Sequence, residues 1–264
     1  MIFDCFPFFN ELDLLEIRMH ELDAVVDYFV IAESEKTHQG NAKPLYFKEN
    51  RERFKAFEDK IIYGNVLINE ADPWGREREQ RDLIFSLIKN KAKPEDVVIL
   101  SDMDEISRAE RVLEAVNKFD LKSPVEMDPW LFYYYLNGLV SRSYGSGPVL
   151  CCFGQVMSRF GGFTGLKLAG NRGEFFKMKN GAWHFSWMGG AEKIAEKIRS
   201  CAHNELNNPS LLRSGKIKEI VEGGIHITER SRDRIVKYIP IDETFPGYLF
   251  RNQEKFSSLI HEVN

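Results

Sequence analysis

The sequence predicts an α/β protein with a mixed central sheet, and three observations lead there. In the first hundred residues, short β-rich runs alternate with stretches whose apolar residues recur at helical spacing. One of those runs, Val97-Val98-Ile99, leads directly into "LSDMDEI", which places Asp102, Asp104 and Glu105 just behind it. The second half changes character: "EMDPWLFYYYLNGLVSRSYGSGP" and "CCFGQVMSRFGGF" are aromatic, glycine-containing and β-like.

The elements follow in order. A short strand is expected around Ile2–Phe6. The helical pattern "NELDLLEIRMHEL" comes next, with Leu12, Leu15, Met19 and Leu22 on one face and Asn10 as the cap. "DYFVIAES" reads as a strand ending in polar residues, a helix is expected near Glu49–Phe57, and "IIYGNVLI" is the next strand. In "ADPWGREREQRDLIFSLIKNKA", Asp72 is placed to cap a helix and Pro73 fits its first turn. Leu83, Ile84, Leu87 and Ile88 form its apolar stripe. After "DVVILSDMDE", Ser107 and Glu110 have the spacing of a capping box. "AEKIAEKIRSCAHNEL" predicts a late helix. No repeat, low-complexity tract or Pro/Gly/Ser linker divides the 264 residues, so a single domain is expected.

Composition bounds the function. A hydrophobic fraction of 43% and a charged fraction of 29% are those of a soluble globular chain, and a net charge of -4 argues against a nucleic-acid partner. Arg230, Arg232, Arg234 and Lys237, interrupted by Glu229 and Asp233, read as a solvated face, with a phosphate site as the alternative. The four cysteines make neither metal spacing nor a disulfide framework, which suggests a reducing compartment. The N-terminus lacks the basic flank of a signal peptide, and no stretch is long enough to span a membrane; a cytoplasmic protein is expected.

The three acids lie between a strand's carboxyl end and a helix start, where ligands bind in alternating α/β sheets. If the strand continues through Asp104, then Asp102 and Asp104 share a face and Glu105 points away. Adjacent carboxylates share a proton, pair with Arg or Lys, or face a hard divalent cation such as Mg²⁺ or Mn²⁺. A bare Asp-x-Asp is more often a polar strand end. Ile106 and Ser107 exclude an EF-hand, which needs an oxygen ligand and a glycine there. A phosphatase of the haloacid-dehalogenase type expects the motif near the start of the chain and a further acidic metal motif. A nucleotide-sugar transferase needs only a clamp of metal and diphosphate behind a nucleotide-binding half, and suits the layout best.

Several ordered stretches also resemble glycosyltransferase family 17: "FFNELDLLEIRMHEL", "VDYFVIAES", "THQG" with "KPLYF", "VVILSDMDEI" and "GAWHFSW", with a weaker echo in "KIRSCAHNE". The resemblance implies a GT-A-like nucleotide-sugar transferase fold with a β-rich and helical C-terminal portion. It further implies a UDP-N-acetylglucosamine donor, Mn²⁺ or Mg²⁺, inversion at the anomeric carbon and a glycan or glycoconjugate acceptor. Residues 1–106 would form the nucleotide-binding half and 107–264 the acceptor half. The chain shows no counterpart of the animal members' membrane anchor and stem, which leaves the acceptor open.

On that resemblance Asp104 is the first metal ligand, and Asp102 assists through the metal's water or the donor ribose. His184 joins them, or is a satisfied core residue; with Ser186 it faces opposite Trp183, Phe185 and Trp187 if the strand is regular. Glu33, Ser34 and Thr37 are expected near the nucleotide, against plain turn chemistry. Arg81 contacts the diphosphate or simply pairs with Glu77 one turn away, and Lys197 meets phosphate or is solvated. Trp130 and Tyr133–Tyr135 offer a sugar-stacking surface or are core. The general base is Glu205, with Glu174 as the alternative and His203 able to support either.

Overall fold

The computed structural model describes residues 1–213, 215–227 and 236–263. The first half is β1 (Ile2–Phe8), α1 (Leu12–Leu22), β2 (Tyr28–Glu33), α2 (Tyr46–Glu49), a 3-10 segment (Arg51–Lys60), β3 (Ile61–Asn65), α3 (Pro73–Ile88) and β4 (Val97–Leu100). The four strands are parallel, in the order β3-β2-β1-β4. The chain therefore builds outward from β1 to β3 and then returns through α3 to lay β4 on the other side of β1. That reversal parts the connections leaving β1 and β4 and opens a crevice at their carboxyl ends.

Alternation along the strands supplies two cores. Phe6, Phe8, Phe29, Ile31, Val97 and Ile99 face α1, whose Leu14, Leu15, Ile17, Met19 and Leu22 are buried against them. Phe3, Cys5, Val30, Val98 and Leu100 face the opposite way, toward Ile84 and Ile88 of α3. Helix α3 starts as the sequence predicts: the Asp72 carboxylate accepts from Gly75 N at 2.9 Å, with Pro73 in the first turn.

Beyond β4 come β5 (Glu105–Ser107), α4 (Ala109–Lys118), β6 (Val125–Tyr133), β7 (Gly138–Ser141), β8 (Val149–Cys152), α5 (Phe153–Ser158), α6 (Phe163–Asn171), β9 (Phe176–Ser186) and α7 (Gly190–Ser200). The last elements are α8 (Lys216–Glu222), β10 (Lys237–Tyr238), α9 (Gly247–Arg251) and a 3-10 turn (Gln253–Leu259). Strand β8 runs antiparallel between β4 and β6, β9 runs parallel to β6, and β5 pairs antiparallel with β9. The sheet is thus mixed, with a C-terminal portion of strands and helices, as expected.

Several local expectations are corrected. Helix α1 has no side-chain cap, and the Asn10 backbone N–H is satisfied by Glu11. Ser107 does not cap α4, because it is held in β5 opposite Ala182. The β-like reading of "FGQVMSRFGGF" fails: α5 and α6 form there, separated by Gly161 and Gly162 at positive φ. Cys151 and Cys152 do lie on opposite strand faces, and all four thiols are free. Arg230, Arg232 and Arg234 lie outside the described residues. Among the described residues no helix is long and apolar enough to cross a membrane.

Candidate functional site

A cleft of about 1610 Å³ opens at the carboxyl ends of β1 and β4, and Asp102, Asp104 and Glu105 all line it. Pockets for drug-sized ligands run to about 1,000 Å³, so this one exceeds the volume that one such ligand needs. The route to the acids differs from the expected one. Strand β4 ends at Leu100, residues 101–104 form a turn, and β5 begins at Glu105. The turn, not strand alternation, brings Asp102 and Asp104 to the cleft, and it turns Glu105 inward as well.

The turn is held from behind by a residue the sequence reading missed. Arg18 of α1 is fully buried and pairs with Asp4 of β1. It also donates to Ser101 Oγ at 2.6 Å and to the carbonyls of Asp102, Met103 and Glu105 at 3.1, 3.2 and 2.9 Å. The available signal was an acid inside an apolar strand, "IFDCF", matched with an arginine between the apolar Ile17 and Met19 of a helix. Buried charges require partners.

The acids are matched in front by three cations. Asp102 faces Arg81 at 3.1 Å and Lys167 at 3.6 Å; Glu105 takes Lys167 at 2.6 Å; Asp104 takes Lys197 at 2.7 Å. Burial alone would raise Asp102, but Lys167 and Arg81 outweigh it and hold that carboxyl well below the usual range. Asp104 is lowered in the same way, against burial, chiefly by Lys197. Burial works against the charge on Lys167, Lys197 and Arg81 too, yet the facing carboxylates raise all three. Arg81 is ion-paired with Glu77 one turn away at 2.6 Å and also reaches Asp102. Lys167, on α6, was not singled out in the sequence because nothing local ties it to acids 62 residues away.

His184 sits on β9 opposite Glu105, and its Nε2 stands 3.6 Å from Asp104 Oδ1. That is beyond hydrogen-bond length but close enough for one ion to touch both atoms at about 2.0–2.2 Å. Its Nδ1 is buried without a hydrogen-bond partner among the described residues. Among those residues no three His, Cys, Asp or Glu side chains converge as a metal cage. Asp102, expected to assist through the metal's water or the donor ribose, lies in the same turn and faces Arg81 and Lys167. The residues fit a cation held by Asp104 and His184, with phosphate oxygens and water completing the shell, an arrangement that hard dications accept.

The remaining expectations divide. Thr37, Lys197 and Glu205 line the cleft, and the Glu205 carboxylate accepts from His203 Nδ1 at 2.7 Å at its exposed rim. Glu33 and Ser34 do not line it. Strand alternation turns Glu33 to the α2 side, where its carboxylate accepts from Phe47 N at 3.0 Å and from the Tyr63 hydroxyl at 3.0 Å, with Lys43 at 3.5 Å. Ser34 Oγ accepts from Lys36 N in a turn. Glu174 lies outside the cleft, against Arg172. Trp187 leaves the face of Trp183 and Phe185, since at φ 60° it breaks the strand register and packs with Tyr133, Ile194 and Ile198. Tyr133 and Tyr134 are both buried because Tyr134, at φ 70°, also breaks alternation, while Trp130 is half-buried beside Arg108 and Arg142.

Comparison with known proteins follows the same lines. The family model described as glycosyltransferase family 17 matches residues 1–137. The human β-1,4-mannosyl-glycoprotein 4-β-N-acetylglucosaminyltransferase is 25% identical over 95% of this chain and 53% of its own length, and the rat protein 24% over the same shares. The chain thus spans about half the length of the curated relatives it matches. Among solved structures, TarS of S. aureus aligns with a TM-score of 0.42 and 10% identity over 87% of this chain and 46% of that one. A glucosyl-3-phosphoglycerate synthase of Mycobacterium tuberculosis, solved with Mn²⁺, UDP-glucose and phosphoglyceric acid, aligns at 0.40 and 12% over 95% and 91%. With a family model spanning more than half of its 264 residues, the chain belongs to glycosyltransferase family 17.

Proposed function

We propose that the protein is a metal-dependent inverting glycosyltransferase with a GT-A-like fold. It moves N-acetylglucosamine from UDP-N-acetylglucosamine to a hydroxyl of a glycan or other acceptor. The observation that carries this reading is the pair of Asp104 Oδ1 and His184 Nε2, 3.6 Å apart at the switch point of a parallel sheet. The family and the names of the relatives support the donor.

Asp104 and His184 would hold the cation, Mn²⁺ or Mg²⁺. When bound, such an ion neutralises the departing diphosphate as a Lewis acid. The chain's own residues do the rest. Residues 1–106 supply the nucleotide side, with Thr37 at its edge and Asp102 toward the ribose or a metal-bound water. Arg81 and Lys197 flank the diphosphate. Arg18 keeps the turn 101–104 in place, so the carboxylates need no rearrangement when the donor arrives. From the acceptor half, residues 107–264, Glu205 takes the proton of the attacking hydroxyl, with His203 orienting it. The oxygen–anomeric carbon bond forms on the face opposite the breaking bond to UDP, which leaves with the electron pair. The four free thiols are consistent with work in a reducing, cytoplasmic setting.

A donor screen tests the reading. UDP release is measured with several UDP-sugars, with and without Mn²⁺ or Mg²⁺, in wild type and Asp104→Ala. The expected result is release from UDP-N-acetylglucosamine that needs metal and is lost in the variant. Phosphate release from a generic ester without acceptor would replace the reading with a phosphohydrolase. Sugar affinity that survives Asp104→Ala and ignores UDP and Mn²⁺ would replace it with a carbohydrate-binding module.

A further inference from the structure

The three cations that face the acids are not held alike. The Arg81 side chain is 7% exposed and shared between Glu77 and Asp102. The Lys167 side chain is 8% exposed and shared between Asp102 and Glu105. If either moved, two carboxylates would lose a counter-charge, which is costly where water is excluded. Lys197 differs. Its side chain is 27% exposed and lines the cleft from α7. Its Nζ meets Asp104 Oδ2 at 2.7 Å, and its next acid, Glu11, is 3.9 Å away. Of the three, Lys197 is the one with a route out of its ion pair.

The partner it would leave is the carboxylate that faces His184. Asp104 turns Oδ1 toward His184 Nε2 at 3.6 Å, while Oδ2 takes the lysine. The carboxylate has little freedom to retreat. Phe185 N donates to the Asp104 carbonyl at 2.8 Å, and Arg18 holds the carbonyls of Met103 and Glu105 on either side. A dication on Oδ1 and an ammonium on Oδ2 would therefore share one negative charge in a largely buried place, where like charges repel strongly. One of them needs another anion. A diphosphate supplies it, and the flexible four-carbon stem of a lysine lets the ammonium reach it.

We propose that Lys197 is an exchangeable counter-ion: it neutralises Asp104 in the free protein, yields that carboxylate to an incoming cation and moves to the diphosphate. Cation and nucleotide then bind as a pair, each favouring the other through one lysine. This rests on the glycosyl-transfer reading and adds to it how the donor site assembles. The cation is held firmly only together with a nucleoside diphosphate.

The test uses the whole protein. Mn²⁺ affinity is read by electron paramagnetic resonance and UDP affinity by calorimetry, each with and without the other ligand and corrected for the complex that the two form in solution. In wild type, UDP tightens Mn²⁺ binding about tenfold, an ordinary coupling between sites. In Lys197→Met, Mn²⁺ without UDP binds about tenfold tighter than in wild type, and the gain from UDP shrinks by about the same factor. UDP affinity falls in this variant only when Mn²⁺ is present. A lysine that simply binds diphosphate would lower UDP affinity equally with and without Mn²⁺, and one that simply supports the fold would not strengthen the metal site. Lys197→Gln, which can still donate to Asp104, shows the same pattern should the methionine variant fold poorly, and Lys197→Arg keeps the wild-type pattern. Lys193→Met, one turn earlier and paired with Glu196, removes a charge from the same helix and changes neither affinity.

Mn²⁺ affinity that is unchanged or weaker in Lys197→Met and Lys197→Gln overturns the proposal and leaves the metal-dependent reading standing. Wild type and variants that all fail to bind Mn²⁺, with UDP or without it, overturn both. The exchange pattern in a protein that transfers no sugar sustains the counter-ion and refutes the transferase reading.

Discussion

Arg18 and Asp4 form a two-pronged ion pair with no exposed surface, Nε lying 2.7 Å from one carboxylate oxygen and Nη2 2.5 Å from the other. The remaining guanidinium nitrogen reaches across to the backbone of the acid turn. The first strand and first helix are thus joined to a turn more than eighty residues later, and the core that stabilises the fold also shapes the cleft floor.

Removing one partner of that pair is expected to be severe. Asp4→Ala strands the Arg18 charge in the core and should lower unfolding free energy by about 3–5 kcal/mol, read from urea denaturation. The double variant Asp4→Leu with Arg18→Met should recover part of that loss. It should still bind UDP-sugar poorly, because the carbonyls of 102, 103 and 105 lose their common donor. Full recovery of both stability and binding would show that the turn needs no such support.

The Asp104–His184 pair predicts a specific metal response. His184→Ala should weaken Mn²⁺ affinity by at least about tenfold, since even residues that merely support ligands cost 10–100-fold. Asp102→Asn should weaken it less. Titration of Mn²⁺ against UDP release, or paramagnetic broadening of nearby resonances, distinguishes the two; equal effects would return Asp102 to the ion.

Acid should loosen the C-terminal segment. Glu16 of α1 accepts from the Tyr248 hydroxyl at 2.6 Å, and also binds Lys255 and Arg53. Burial would raise its carboxyl, but these partners lower it from the ordinary 4.5 to about 2. A depressed folded-state value means that this contribution is complete above about 4.5 and is lost as pH falls toward about 2. Urea midpoints measured across that window should fall for wild type more steeply than for Glu16→Gln, which lacks the titrating group.

Glu205 and Glu174 separate as candidate bases. Glu205→Gln should lower kcat by about 10²–10⁴-fold with little change in donor KM. Glu174→Gln, beside Arg172 outside the cleft, should leave kcat within about twofold. A steady-state comparison of the two decides it, and a normal kcat in Glu205→Gln would move the base elsewhere.

Much of this site was legible in the chain. The placement of Asp102 and Asp104 after β4, the Asp72–Pro73 start of α3 and the alternation that buries Phe29, Ile31 and Ile99 all follow from local spacing. Expectations failed where a long-range partner changed the local geometry. Ser107 was drawn into β5 by Ala182, Glu33 was claimed by the start of α2, and Trp187 left its register to join a third core.

The order of strands and helices in the first half, the position of the acids and the family were determined by the sequence alone, because backbone periodicity and motif order reside in neighbouring residues. The counter-charges were decided only in three dimensions. Arg18, Lys167 and Lys197 come from 84, 62 and 93 residues away from the groups they bind. Electrostatic attraction acts through space, so which cation meets which carboxylate depends on how the sheet brings distant segments together.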